Sequence, residues 1–235
     1  MTRPFRFKQF TITQEKAPMK VGTDSVLLGA WVHGGDARNI LDLGTGTGIL
    51  ALMMAQRFAK SKITALEVNK EAYDEAQINV DASPWSDRID LKNGDIANYN
   101  PSDKFDLILA NPPYFQMDLR SAEKGKAMAR HASKFDVKDF ASSSRWLRNT
   151  GVLAGIYPKE IYEKLKAEME SLGFFANRIL KVHPTPQKDY HRVVFEFSRS
   201  NGEKPKEECL VIESDGRHQY SDEYKSLTAD FYLNF

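Results

Sequence analysis

Short apolar runs alternate with amphipathic stretches through the middle of the chain. Apolar runs occupy residues 39–43 (NILDL), 62–68 (KITALEV) and 105–110 (FDLILA), as expected of buried parallel strands. Residues 49–58 and 70–82 instead carry their apolar side chains at helical spacing. This alternation predicts a parallel sheet with helices on both faces.

The second half of the chain continues this pattern and then departs from it. Further strands are predicted at 89–92 and 152–157, and a helix is predicted over 161–172. The strands predicted at 178–182 and 192–197 have no helix between them, which favours an antiparallel strand at one edge. We therefore predict an α/β fold with a sheet of about seven strands, mostly parallel, with an antiparallel edge strand.

The length of the chain limits its domain organisation. Its 235 residues suffice for one large α/β domain and are too few for two. We expect a core over residues 31–200, an N-terminal extension (1–30) over the ligand cleft and a C-terminal extension (201–235). Within the last part, 220–235 has the pattern of an amphipathic helix that packs back onto the domain, whereas the polar stretch 198–208 is predicted to be a loop.

Aromatic and cationic residues alternate near the N-terminus. A period of two favours a half-buried edge strand, although such a mixture also suits stacking on an unpaired base. The alternating residues are Arg3, Phe5, Arg6, Phe7, Lys8 and Phe10.

Composition is that of a soluble globular protein, with 41% hydrophobic and 28% charged residues. No apolar run approaches the roughly 18–20 residues that span a bilayer, and the N-terminus lacks the apolar core of a secretory signal. The single cysteine, Cys209, leaves no internal disulfide and no cysteine-based zinc site. We expect a cytoplasmic protein that binds no membrane, with a monomer favoured over a dimer.

The distribution of charge is more informative than its sum. A net charge of +1 is too small for a protein that binds nucleic acid by bulk electrostatics. Cations concentrate in residues 1–20 and 116–138. A polyanion would contact these two segments, unless they are ordinary solvated surface.

A glycine-rich loop, Asp42-Leu-Gly44-Thr-Gly46-Thr-Gly48, directly follows the first predicted core strand. A dinucleotide-binding loop reads G-x-G-x-x-G, but Ile49 stands where its third glycine would be, and no P-loop lysine is present. The glycines let the backbone approach a ligand, and Asp42 supplies negative charge near it. The loop therefore predicts a cofactor that has no phosphate and carries an ammonium group and a sulfonium.

Two further carboxylates follow neighbouring predicted strands. Glu67 ends the second strand, where it can accept both hydroxyls of a ribose, and Asp95 follows the third, where it can accept from an adenine amino group. The carboxyl ends of the strands are where open α/β sheets bind ligands. Taken singly, either acid is more often a surface or turn residue, but together with the glycine loop they indicate S-adenosylmethionine.

The tetrapeptide Asn111-Pro112-Pro113-Tyr114 follows the fourth predicted strand, at the same edge of the sheet. The amino group of a nucleobase is a poor nucleophile because its lone pair is delocalised into the ring. The side-chain oxygen of Asn111 and the carbonyl of Pro112 can accept both of its N–H bonds, which frees that lone pair. Tyr114 offers a ring on which a flat base can stack. After a DxGxGxG loop, this turn predicts methyl transfer to an amine rather than a purely structural role.

Other candidate residues carry weaker signals. Thr23 and Asp24 precede the apolar run that begins at Val26, and they are interpreted as helix capping with a secondary role in lining the cofactor pocket. Arg130 and His131 lie in the second basic segment and either contact substrate or remain solvated. The remaining histidines are not at metal-ligand spacing from acids, so no metal is expected. These are His33, His183, His191 and His218.

The combination of DxGxGxG, an acid after the second strand and NPPY resembles the amino-methyltransferases with a Rossmann-like methyltransferase sheet. The segments KQFTITQEKAPMKVGTDSVLLGAW, SPWSDRI, NPPYFQ and VIESDGRHQYSDEYKSLTADFYLNF are similar to those of a narrower bacterial family. That family comprises tRNA adenine-N6 methyltransferases that modify adenosine 37, 3′ of the anticodon of a valine tRNA. The resemblance runs from about Phe5 to Phe235.

The resemblance implies S-adenosylmethionine as cofactor and the anticodon loop of a tRNA as partner. The target adenine is expected to meet the four residues 111–114. The predicted cofactor-binding residues are Asp42, Gly44, Thr45, Gly46, Gly48, Glu67, Val68, Asp95, Ile96 and Asn111. The predicted substrate-binding residues are Lys20, Thr23, Asp24, Phe115, Arg130 and His131, the last of which follows Arg130 where the family usually has a different polar or acidic residue.

Three other functions remain open at this point. Methylation of a glutamine amide in a translation release factor uses the same tetrapeptide, because a carboxamide also presents a planar NH₂; the basic segments favour nucleic acid instead. Adenine methylation in DNA or ribosomal RNA is disfavoured by the near-neutral charge and the lack of an added binding domain. A non-catalytic RNA-binding module would be expected to lose Asn111 or the glycine loop, and both are intact.

Overall fold

The computed structural model describes residues 3–112, 136–199 and 204–235. The strands are β1 (Phe5–Arg6), β2 (Thr11–Ile12), β3 (Asn39–Leu43), β4 (Lys62–Glu67), β5 (Ile89–Asn93), β6 (Phe105–Ala110), β7 (Leu147–Pro158), β8 (Phe175–His183), β9 (Arg192–Ser198) and β10 (Lys206–Val211). The helices are α1 (Thr23–Trp31), α2 (Ile49–Arg57), α3 (Lys70–Asp81), α4 (Val137–Ser142), α5 (Lys159–Ser171) and α6 (Asp222–Thr228). Within the described ranges, no helix has the length and apolar character needed to cross a membrane.

Eight strands form one sheet in the order β10-β8-β9-β7-β6-β3-β4-β5. All pairs are parallel except those of β9, which runs antiparallel to both β7 and β8. The predicted α/β class with a mostly parallel sheet is confirmed. Two details are corrected: the sheet has eight strands rather than about seven, and the antiparallel strand lies inside it.

Both corrections follow from β10, which the sequence did not predict and which lies beyond β8 at the end of the sheet. Its first residues, Lys206, Glu207 and Glu208, lie in the stretch that the sequence assigns to a loop. An edge strand can carry charged side chains because one of its sides faces solvent, so its sequence lacks the apolar run of a central strand. β10 pairs in parallel with β8, its one neighbour in the sheet, and so forms an outer edge.

Each face of the sheet buries its own hydrophobic core. Along β3, Ile40 belongs to the core that includes α1 and α2, whereas Leu41 and Leu43 belong to the core that includes α4 and α5. Side chains alternate between the two faces of a strand. Asp42 therefore lies on the same face as Ile40, next to α2.

The order of the strands creates a crevice at the carboxyl edge of the sheet. The chain runs from β3 to β4 and β5 on one side, whereas β6 lies on the other side of β3. Ligands of open α/β sheets bind where the strand order reverses in this way. Leu43 pairs with Ala110 at the ends of the two strands. Gly44 and Asn111 consequently leave the sheet side by side.

The N-terminal aromatic residues pack inward against the tail. Phe7 and Phe10 are 4% and 6% exposed, and the ring of Phe7 lies 5.9 Å from that of Tyr232. A short strand is present as predicted, but it pairs with β2 in a separate two-stranded ribbon. The tail helix α6 is shorter than the sequence predicts, although Tyr224 and Phe231 are buried as expected.

Candidate active site

The glycine-rich loop leaves β3 through left-handed backbone. Gly44, Gly46 and Gly48 have φ angles of 68°, 58° and 84°, a region that side chains with a Cβ rarely adopt. Apart from its own chain neighbours, a Cβ built on Gly44 or Gly46 would meet no atom of the described residues within 4 Å. The loop therefore borders open space, and a ligand can lie directly against its backbone.

The buried Asp42 carboxylate hydrogen-bonds both to this loop and to the start of α2. The residue is fully buried, and its Oδ2 accepts hydrogen bonds from the Thr45 hydroxyl (2.5 Å) and the Ala51 amide (3.1 Å). The N-cap residue of α2, Gly48, has no side chain with which to cap the helix. Asp42 therefore satisfies a helix N-terminal amide from the neighbouring strand, which couples the loop to α2.

The second oxygen of Asp42 suits a cationic ligand. Oδ1 is buried and has no hydrogen-bond partner among the residues that the structure describes. Burial raises the pKa of Asp42 to about 7, partly offset by the hydrogen bonds from Thr45 and Ala51. A nearby positive charge would favour the ionised form of this carboxylate. A positively charged cofactor near Oδ1 would therefore stabilise the ionised form of this buried carboxylate.

This raised pKa predicts how the stability of the cofactor-free protein depends on pH. Because the folded pKa of about 7 exceeds the ordinary 3.8, ionising buried Asp42 costs more stability as the pH rises through that window. The free energy of unfolding should decline from about pH 4 to pH 7 through this group and stay level above it. In Asp42→Asn, the difference in this free energy between pH 5 and pH 8 should shrink by roughly 2–3 kcal/mol.

Urea denaturation at the two pH values measures this effect. Asp103→Asn, which removes an exposed carboxylate, is the control. If Asp42→Asn kept the pH dependence of the parent and of the control, Asp42 would not be the titrating group.

Glu67 joins the end of β4 to the glycine loop. Its side chain is 7% exposed; Oε2 accepts from the Gly46 amide and Oε1 from the Asn69 amide, both at 2.8 Å. Burial raises the pKa of this carboxyl, against the lowering effect of those amides. A carboxylate offers about four acceptor positions. Glu67 can therefore hold the loop and still accept from further donors, such as two hydroxyls.

Asp95 lies at the same edge, after β5. The β4–β5 register pairs Glu67 with Asn93, so Asp95 is two residues beyond that pair. The residue is exposed, and its Oδ1 accepts from the Ala97 amide at 2.9 Å at the start of a short 3₁₀ helix. This bond fixes the carboxylate at the turn, next to buried Ile96.

Asn111 is buried where β6 leaves the sheet, beside the glycine loop. Its side chain is 9% exposed, and its Nδ2 donates to the Ser25 hydroxyl at 2.8 Å. Pro112 follows and is also buried. Asn111 and Pro112 therefore lie beside Gly44 at the carboxyl edge of the sheet. The predicted site residues Pro113, Tyr114, Phe115, Arg130 and His131 lie outside the described residues.

The predicted substrate ligand Lys20 has an internal role in the structure. Its ammonium donates to the backbone carbonyls of Gln14, Glu15 (3.2 Å) and Ala17 (3.3 Å). Lysine therefore stabilises the fold of its own segment, which the sequence pattern could not reveal because the acceptors are backbone atoms.

Thr23 and Asp24 form the first turn of α1. The interpretation of these residues as helix caps is wrong, because Gly22 is the N-cap and no side chain caps the helix there. Asp24 instead accepts from Arg192 Nε at 2.9 Å. Arg192 begins β9, so this ion pair connects α1 to the carboxyl edge of the sheet.

Sequence reasoning missed two polar residues on the buried side of α3. Glu75, 2% exposed, accepts the backbone amides of residues 15–17. Asn79 accepts from the Thr13 amide (2.8 Å) and donates to the Thr47 carbonyl (2.9 Å). Together they attach the N-terminal segment to the glycine loop. The i, i+4 spacing of Glu75 and Asn79 places both side chains on one face of α3. The sequence could not show what they bind, because their partners are distant in the chain.

Metal-ligating side chains do not cluster in the described part of the chain. No group of at least three His, Cys, Asp or Glu side chains there could hold a metal ion.

The known sequences that this chain resembles are methyltransferases. A family model described as methyltransferase small domain matches residues 19–139. A Bacteroides thetaiotaomicron protein named tRNA1(Val) (adenine(37)-N6)-methyltransferase is 40% identical over 237 residues, covering 100% of this chain and 99% of the relative. A Phocaeicola vulgatus protein of the same name is 42% identical over 231 residues, covering 98% and 97%.

Solved structures share the fold at lower identity. A predicted O-methyltransferase of Agrobacterium tumefaciens has a TM-score of 0.68 at 20% identity, over 88% of this chain and 96% of that one. A putative RNA methyltransferase of Pyrococcus horikoshii has a TM-score of 0.55 at 19% identity, over 75% and 82%. These likenesses concern the fold, which is that of Rossmann-like methyltransferases.

Proposed function

Because this chain belongs to the tRNA1(Val) (adenine(37)-N6)-methyltransferase family, we propose that it methylates N6 of adenosine 37 in a valine tRNA. The methyl donor is S-adenosylmethionine. One observation carries the proposal: Asn111 lies buried beside Gly44, at the reversal of strand order between β3 and β6. This edge can bring an acceptor for an amine next to a cofactor loop.

The residues around the glycine loop suit S-adenosylmethionine, which when bound supplies an electrophilic methyl group on a positively charged sulfur. The open space at Gly44 and Gly46 leaves room for its amino-acid part, and the buried charge of Asp42 favours a cation through space. Glu67 is proposed to accept from the ribose hydroxyls and Asp95 from the adenine amino group. The other residues proposed to line this site are Thr45, Gly48, Val68 and Ile96.

Asn111 and Pro112 are proposed to prepare the target amine. The Asn111 side-chain oxygen and the Pro112 carbonyl accept its two N–H bonds, which draws the nitrogen lone pair out of the ring and toward the methyl group. After transfer the nitrogen carries a surplus proton and is a strong acid, so it loses that proton without a strong base. Catalysis consists mainly of alignment. Tyr114 is proposed to stack on the adenine.

The proposed substrate region is an unpaired base of the anticodon loop, because such bases can be displaced into an active site. Among the cations of the N-terminal segment, the Lys8 and Lys20 ammonium groups contact backbone carbonyls. Arg3, Arg6 and Lys16 are therefore the better candidates for RNA contact. The attachment of this segment to α3 supports its proposed place over the cleft. We also propose a monomeric, cytoplasmic enzyme.

Methylation of a release factor is the alternative that the tetrapeptide leaves open. The purified chain should be incubated with labelled S-adenosylmethionine and, separately, unmodified valine tRNA, the same tRNA with guanosine at position 37, and a release factor. We expect N6-methyladenosine at position 37 of the first tRNA alone, mapped by mass spectrometry of nuclease fragments. Label that enters only the protein would overturn the proposed substrate.

A further inference from the structure

We propose that Ser25 is a positioning residue that sets the orientation of the Asn111 amide. This inference rests on the proposed function, in which the Asn111 oxygen accepts from the target amine. The hydrogen bond between Asn111 Nδ2 and Ser25 Oγ is 2.8 Å long and joins residues 86 positions apart. Both side chains are nearly buried, at 9% and 8% exposure.

An asparagine in this role has an orientation problem. A primary amide has a donor nitrogen at one end and an acceptor oxygen at the other, and a half-turn about Cβ–Cγ exchanges them with almost no change in shape. In the wrong orientation Nδ2 would face the N–H groups of the target, donor against donor. In the structure, the Ser25 hydroxyl accepts from Asn111 Nδ2, so the nitrogen end of the amide faces α1 and Oδ1 lies at the other end. Ser25 thereby keeps Nδ2 on its own side of Asn111.

The first turn of α1 holds Ser25 firmly in place. Next to it, Asp24 accepts from Arg192 at 2.9 Å, which connects this turn to β9. Further along α1, a Cβ on Gly29 would lie 2.5 Å from the sulfur of Met53, so α1 packs closely on α2. The hydroxyl therefore projects from an element fixed on two sides, as a positioning residue requires.

The test is a double-mutant cycle between Ser25→Ala and Asn111→Asp in the full-length protein. Single-turnover rates and steady-state constants would be measured with S-adenosylmethionine and unmodified valine tRNA. Ser25→Ala alone should lower kcat about tenfold, while both KM values and cofactor affinity by calorimetry stay within about twofold. In the Asn111→Asp background both ends of the side chain accept, so orientation no longer matters and the same change should cost less than about twofold.

Ser83→Ala is the matched control. Ser83 is also 8% exposed, and its hydroxyl donates to the Val80 carbonyl at 2.7 Å, but it follows α3 at the opposite edge of the sheet. The kcat of the Ser83→Ala variant should equal that of the parent. An unchanged kcat in Ser25→Ala, or an equal cost in both backgrounds, would overturn the inference. Failure of the proposed function would look different, because the parent protein itself would then transfer no methyl group to valine tRNA.

Discussion

Asn111→Ala should reduce turnover on valine tRNA by at least about a hundredfold, taking the lost positioning bond as roughly 3 kcal/mol. The variant loses an acceptor for the target N–H bonds, so the amine lone pair stays delocalised in the ring. Affinity for S-adenosylmethionine should hardly change, because the described loop contacts of Asp42 and Glu67 do not involve Asn111.

Single-turnover kinetics with saturating cofactor and tRNA measure this loss, and calorimetry measures cofactor affinity. Asn149→Ala is the control, since Asn149 is exposed near the start of β7, at the opposite edge of the sheet. Turnover within about threefold of the parent would show that the amide does not act on the target. A parallel loss of cofactor affinity would instead indicate that Asn111 serves mainly the cofactor.

Glu67→Ala should raise the dissociation constant for S-adenosylmethionine by about a hundredfold, as expected when two hydrogen bonds to a carboxylate, each worth roughly 1.5 kcal/mol, are lost. The change also removes the acceptor for the Gly46 amide, which loosens the loop against which the cofactor lies. The lost hydrogen bonds and the loosened loop both weaken binding of S-adenosylmethionine. The single-turnover rate at saturating cofactor should fall much less than affinity.

Isothermal titration of the cofactor into each variant provides the measurement. Glu71→Ala is the matched control, because Glu71 is an exposed carboxylate in the first turn of α3, four residues further along the chain. Glu67→Gln keeps the shape but places an amide nitrogen against a backbone N–H, and it should bind weakly as well. Equal affinities in Glu67→Ala and Glu71→Ala would remove Glu67 from the proposed ribose site.

The sequence predicted most of the sheet because its central strands are buried on both faces. Runs such as NILDL and FDLILA must be apolar throughout, which gives them a signal independent of their neighbours. The predicted bounds of β3 and β6 match the structure, and β4 differs by one residue. β10 was missed because a charged edge strand and a polar loop have similar composition.

The site was predictable to the extent that it follows from where strands end. Once Asp42, Glu67 and Asn111 are placed at the ends of parallel strands, they must meet at one edge. That reasoning uses only the order of motifs along the chain. It gave no information on Lys20, whose ammonium contacts backbone carbonyls, nor on Thr23 and Asp24, which lie inside the first turn of α1 rather than at its cap.

Local patterning by itself determined the strand and helix periods, the class of fold and the motifs at the carboxyl edge, since each depends on residues close together in the chain. Tertiary structure alone decided where β9 inserts, how Glu75 and Asn79 hold the N-terminal segment, and that Ser25 meets Asn111. These contacts join residues that are far apart in sequence. They arise because burial leaves polar groups that must find partners wherever the packed chain brings them.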